Sequence, residues 1–107
     1  MALRYRILEE AEQELFEAAS YIEAEREGFG FQLFDEYDAL VDLVLEQPSS
    51  GSLVELPVPY EVRRFQLKRF HYSVFVATVD GQLVVFAVSH HKRAPTYWAD
   101  RLLKIER

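Results

Sequence analysis

Cysteine is missing from this chain, and with it go disulfides, thiolate metal sites and a cysteine nucleophile. That fits a reducing cytosol, so a cytoplasmic protein is expected. Long apolar runs are missing too. None approaches the roughly 20 residues that a membrane span needs, so no membrane partner is expected. The opening MALRYRILEEAEQEL has no apolar stretch of the kind that makes a secretory signal. Nothing repeats and nothing is of low complexity. Positive charge is scarce in the first part of the chain: residues 1–61 hold 3 Lys and Arg against 15 Asp and Glu. Residues 62–107 hold 9 against 3, so the net charge of −6 divides into −12 and +6. Two readings fit this division. One is a surface that attracts an acidic partner, and the other is an acidic helical pair beside an ordinary sheet.

Half of the residues are hydrophobic and 14% are aromatic, more than a disordered chain carries. The length of 107 residues suits one domain, residues 1–107. LRYRIL alternates as a strand, with Leu3, Tyr5 and Ile7 on one side and Arg4 and Arg6 on the other. Ala11, Leu15, Ala18, Ala19 and Ile22 then recur as one face of a helix. Glu10, Glu14, Glu17 and Glu23 read as its solvated coat, with Gly28 as its C-cap. A second helix is expected from about Phe31 to Gln47, ended by Pro48. The short link between the two implies an antiparallel helical hairpin.

Beyond it the period shortens to that of strands. EVRRFQLKRF, HYSVFVATV and QLVVFAVSH read as three strands, the last two joined by a type I′ turn at Asp80-Gly81. Val62, Phe65, Leu67 and Phe70 cannot all share a face, so a bulge or a strand end is expected near Lys68-Arg69. Pro95 is placed to open a final helix whose inner face is Trp98, Leu102 and Ile105. The order β-α-α-β-β-β-(α) gives an α+β domain, a twisted antiparallel sheet with an N-terminal helical hairpin packed on one face.

The histidines and cations gather where the last strand ends, in AVSHHKRAPTYW. Arginine forks and lysine charges suit phosphate, and a histidine can move a proton near neutral pH. Cleavage of RNA through its 2′-hydroxyl needs a base, an acid and cations on the developing charge. His90 or His91 with Arg64, Lys68, Arg69 and Arg93 could staff it, with Tyr72 and Tyr97 to stack a base or donate a proton. Each has a plainer reading. Arg63, Arg64, Lys68 and Arg69 are also ordinary solvated strand residues, and Tyr97 and Trp98 ordinary core aromatics. Adjacent histidines on a strand point to opposite faces and no third ligand is evident, so neither a metal nor any other cofactor is expected.

These residues also carry a resemblance. VRRFQLKRFHYSVFV and VSHHKRAPTYWADRL are similar to the ParE/RelE superfamily of toxins from type II toxin–antitoxin systems, closest to its ParE-like, plasmid stabilisation branch. The family pattern has an arginine, matched by Arg63 or Arg64, then Phe-Pro-Tyr opening a strand. A valine-rich strand follows, ending His-x-x-Arg-x-Pro-x-Tyr-Trp. Here Phe70-His71-Tyr72 stands with histidine in place of proline, and His90, Arg93, Pro95, Tyr97 and Trp98 match the end. Glu14, Gly28-Phe29-Gly30, Pro48 and Gly51 match upstream.

The resemblance implies a growth-inhibiting toxin neutralised by a cognate antitoxin, with operator DNA reached only indirectly, through that antitoxin. RelE-like members cleave mRNA on the ribosome, whereas ParE-like members inhibit DNA gyrase. Three readings follow: a protein-binding inhibitor, an endoribonuclease, or a folded binding module without toxicity. If the chain is a nuclease, His90, Arg64 and Arg93 are its catalytic candidates. For binding a target or antitoxin the candidates are Arg63, Arg64, Lys68, Arg69, His91, Lys92, Tyr97 and Trp98. The antitoxin is expected on the positive sheet face or beside the helical hairpin, and unpartnered apolar surface would favour a homodimer.

Overall fold

The computed structural model describes residues 4–94 and 96–105. The expected strand residue Leu3 and the expected helix opener Pro95 lie outside them. Strand β1 (Arg4–Ile7) leads into helices α1 (Glu9–Glu25) and α2 (Phe29–Glu46). A 3-10 turn at Pro48–Ser50 and the short strand β2 (Ser52–Leu53) follow. Strands β3 (Glu61–Gln66), β4 (Tyr72–Val79) and β5 (Gln82–His90) complete the sheet. A 3-10 turn at Ala99–Arg101 runs into the short helix α3 (Leu102–Ile105). The sheet order is β1-β5-β4-β3-β2. Its β2-to-β5 body is antiparallel, as expected, and β1 adds a parallel edge beside β5. The two-residue β2 was not legible in the sequence, being too short to show a period.

The helical hairpin forms where small residues allow it. Ala11, Ala18 and Ala19 of α1 are buried, and a Cβ on Gly30 of α2 would lie 2.8 Å from the Ala19 carbonyl oxygen. The link is tied by Glu23, whose carboxylate accepts the Gly28 and Gly30 backbone N–H groups at 2.8 and 2.9 Å. It thereby satisfies donors that the first turn of α2 leaves without helical partners. Gly28 is the N-cap of α2, not the expected C-cap of α1, which is Arg26. Its φ of +88° accounts for glycine at that position.

Two cores sandwich the sheet. One lies under the hairpin, where Leu15, Leu33 and Tyr37 meet Phe65, Leu67, Val74, Val76 and Val85. The other lies on the opposite face, where Trp98, Leu102 and Ile105 cover Val62, Ala77, Val84 and Phe86. The segment around Val54 to Tyr60 packs against the same side. Asp80 and Gly81 both take positive φ, +48° and +76°, as a type I′ turn requires.

The register of β4 against β5 shifts between Phe75 and Val76, leaving Phe86 unpaired. Phe86 and Ala87 both reach the second core because of this bulge. It is the reason for the unbroken apolar run in β5, and it inverts the facing of every residue after it. Near Lys68-Arg69 the chain turns instead, β3 having ended at Gln66.

Candidate functional site

Beyond the second core, the same face of the sheet opens into a groove of about 690 Å³. Two cross-strand rows build its floor. Arg64 pairs with Phe75, and Phe75 with Ala87; two residues along, Gln66 pairs with Ser73, and Ser73 with Ser89. Residues directly opposite in an antiparallel sheet share a face, so Arg64, Gln66, Ser73 and Ser89 point into one space. His91 joins them, its Nε2 lying 3.1 Å from Ser73 Oγ. Segment 52–56 makes one wall, and Trp98 and Thr96 the other. Without the bulge Ser89 and His91 would face the helices.

Arg63 and Arg64, adjacent on β3, separate. Arg63 donates to the Gly51 carbonyl at 2.7 Å and to Glu61 at 2.8 Å, away from the groove. Among the described residues no carboxylate pairs with Arg64. Lys68 and Arg69 lie on the turn after β3, held against α2. Glu36 accepts the Lys68 backbone N–H, and Arg69 donates to Gln32 at 2.7 Å with its guanidinium 3.5 Å from the Glu36 carboxylate. Here the cations meet the acidic hairpin, so the two charge signs are not fully separated.

His90 stands at the groove rim with its ring turned the other way, edge-on to Tyr72 at 5.0 Å. Its Nδ1 accepts the Lys92 backbone N–H at 3.0 Å. Burial, then Lys92, His91 and His71, hold its pKa below the usual histidine value. Lys92 is exposed.

The remaining motif residues converge on Glu14. This carboxylate is 8% exposed, which corrects its reading as part of a solvated coat. Oε1 accepts the Val88 backbone N–H at 3.0 Å and Arg101 at 2.7 Å. Oε2 accepts Arg101 at 3.0 Å, Arg93 at 3.2 Å and the Tyr97 hydroxyl at 2.6 Å. Arg93 also lies over the Tyr97 ring at 3.7 Å. The cause is the sheet edge. Strand β1 pairs β5 only as far as Val85, so on that side Phe86 and Val88 have no strand beside them. Arg101 donates to the Phe86 carbonyl at 3.0 Å, and Glu14 takes the Val88 N–H. Desolvation first, then the bond to Glu14, raises the Tyr97 pKa, and the carboxylate raises that of Arg101.

Arg101 was missed in the sequence, although the signal for Glu14 was there. Positions 11, 14, 15 and 18 form one stripe, and Glu14 lies in the middle of the buried face. Trp98, 3% exposed, packs on Phe75 and Phe86 and is a core residue that also lines the groove. Among the described residues no group of three or more His, Asp or Glu could hold a metal ion, and no helix is long and apolar enough to cross a membrane.

The sequence over residues 5–95 matches the family described as ParE toxin of type II toxin-antitoxin system, parDE. The fold matches a solved chain from the chromosomal ParDE TA system of P. aeruginosa with a TM-score of 0.65. Identity is 14%, over 83% of this chain and 96% of that one. No curated protein matches.

Proposed function

Since this chain belongs to the ParE toxin family of type II toxin–antitoxin systems, we propose that it arrests growth by binding an essential protein, DNA gyrase, and that a cognate antitoxin silences it. It works in the cytoplasm, without a cofactor, as an inhibitor and not as an enzyme. One observation carries the choice between binding and catalysis. Arg93, which follows the histidine pair in sequence, and Arg101 both engage the buried Glu14. A guanidinium committed to a buried carboxylate is poorly available to a developing phosphorane.

The endoribonuclease reading rests on a different observation, that Arg64, His91 and Ser73 line one groove. In that reading mRNA on the ribosome is the substrate, and His90, Arg64 and Arg93 do the chemistry. The position of the His90 ring, against Tyr72, speaks against its part in it.

Tightly controlled expression tests both. Growth arrest with loss of DNA supercoiling is the expected result, and inhibition of purified gyrase should accompany it. Transcripts cut within codons would replace this reading by the nuclease. Unaffected growth with folded protein would leave a non-toxic binding module. Exposed Phe16, Tyr21 and Phe31 on the hairpin favour a homodimer when no antitoxin is present.

A further inference from the structure

We propose that the groove beside Arg64 is a reader of acidic peptide: it takes an extended segment of a protein partner and seats one Glu or Asp carboxylate between Arg64 and His91. The inference rests on the reading that this chain acts through bound proteins, and it names the chemistry that one of them must carry.

The first support is charge. The ionisable groups lining the groove are Arg64, Arg93, His90 and His91 against one acid, Glu55. Arg93 is already shared with Glu14, and the His90 ring faces Tyr72. What remains open to a ligand is the Arg64 fork, which no carboxylate among the described residues pairs, with the His91 imidazole lining the same groove. That set matches a single carboxylate, which an arginine can bind through both oxygens. It is a poor match for a polyanion, which needs several cations and meets a chain of net charge −6.

The second support is the floor. Ser73 and Ser89 are 2% and 8% exposed, so the bottom of the groove is polar and little exposed. The Ser73 hydroxyl and the Gln66 amide can donate to a carboxylate that enters, whereas the Ser89 hydroxyl already donates to the His90 carbonyl at 3.3 Å. A charge bound in such a place is screened less than one on open surface.

The third support is the wall. Leu53, Val54, Leu56, Phe75 and Trp98 line the same groove, and Leu53 is 54% exposed. Apolar side chains two positions from the acidic one, on the same side of an extended segment, would lie against them. The recognised element is therefore an acid flanked at alternate positions by apolar residues, bound with the apolar contacts supplying most of the affinity.

The test titrates isotope-labelled full chain with a capped hexapeptide that carries two glutamates and two leucines at alternate positions. The same peptide with glutamines, and a single-stranded RNA hexamer, serve as controls. The expected result is movement of the Ser73, Phe75 and Ser89 amides and of the Arg64 side-chain N–H with the acidic peptide. The glutamine peptide should bind about tenfold more weakly, as for loss of a charge-assisted hydrogen bond. Arg64→Gln should weaken the acidic peptide by a similar factor, whereas Lys104→Gln, outside the groove, should leave affinity within about twofold.

Equal binding of the two peptides, no movement of the groove amides, or tighter binding of RNA at the same amides would overturn the inference. Folding of each variant is checked by its unperturbed amide spectrum. Growth is read separately. A chain that binds the acidic peptide but leaves growth unaffected keeps the groove and loses the toxin reading; arrest without peptide binding does the reverse.

Discussion

The Glu14 carboxylate and the Arg101 guanidinium meet through two hydrogen bonds, at 2.7 and 3.0 Å, across 87 residues of chain. Both ends of the pair also satisfy backbone groups of β5 that β1 does not reach. Glu14 belongs to α1 and Arg101 to the segment that covers the second core. The pair therefore joins the two layers on either side of the sheet.

Glu14→Gln should destabilise the protein by about 3 kcal/mol, because it leaves the Arg101 charge buried beside a neutral amide. Urea unfolding measures it. Arg93→Gln should cost under about 1 kcal/mol, since the Arg93 side chain is 51% exposed and contributes through a solvent-screened pair. Equal losses for the two variants would contradict the assignment of Arg101 as the main partner.

Gly30→Ala should destabilise by about 1–3 kcal/mol through overpacking. The new methyl would sit 2.8 Å from the Ala19 carbonyl oxygen, and backbone cannot swing aside as a side-chain tip can. Gly28→Ala acts differently. Open space surrounds that position, and its positive φ alone should cost about 1 kcal/mol. A crystal structure of each variant would show displaced helices in the first and an unchanged hairpin in the second.

His90 should titrate below the ordinary histidine value of about 6.5 when followed by NMR. Its folded pKa is depressed, so between the folded and unfolded values the unfolded chain binds more protons. The resulting stability is fully present above about pH 6.5 and is lost as pH falls through the folded pKa. His90→Asn should remove that part of the pH dependence. A ring that titrates at or above its unfolded value would show that burial and the neighbouring Lys92, His91 and His71 do not act on it as described.

His90→Ala should leave growth arrest intact. Its ring faces Tyr72 and not the groove floor, so a binding inhibitor does not need it as an acid or base. Arrest lost while the folded protein is still produced would favour the nuclease instead.

Much of this fold is legible from local pattern. The α1 stripe, the Asp80-Gly81 turn and the inner face of Trp98, Leu102 and Ile105 follow from periods of 3.6 and 2 and from residues that tolerate positive φ. The groove is legible only in part. Arg64 and His91 stand out as a cation and an imidazole near strand ends, but their sharing of one groove depends on the Phe75/Val76 register shift. Nothing in LVVFAV marks where a residue is to be skipped, because every member of that run is apolar whichever way it faces.

Glu14 was hidden for the opposite reason. A glutamate among glutamates looks solvated, and its partners lie 74 to 87 residues further on. Position in the stripe identifies it; residue type conceals it. Arg93, Tyr97 and Glu14 all match the family pattern, but nothing in that pattern shows that they meet.

The sheet-edge carboxylate also orders events in time. A chain under synthesis possesses the negative charge of α1 long before it possesses Arg93, Tyr97 and Arg101. Until those residues emerge, docking α1 against the sheet would strand an ionised group in an apolar layer, which is costly. Docking must wait for Arg101, so a translation product that stops before it lacks the partner for Glu14. A chain assembled in this way leaves an interval between the synthesis of α1 and the closing of its interior.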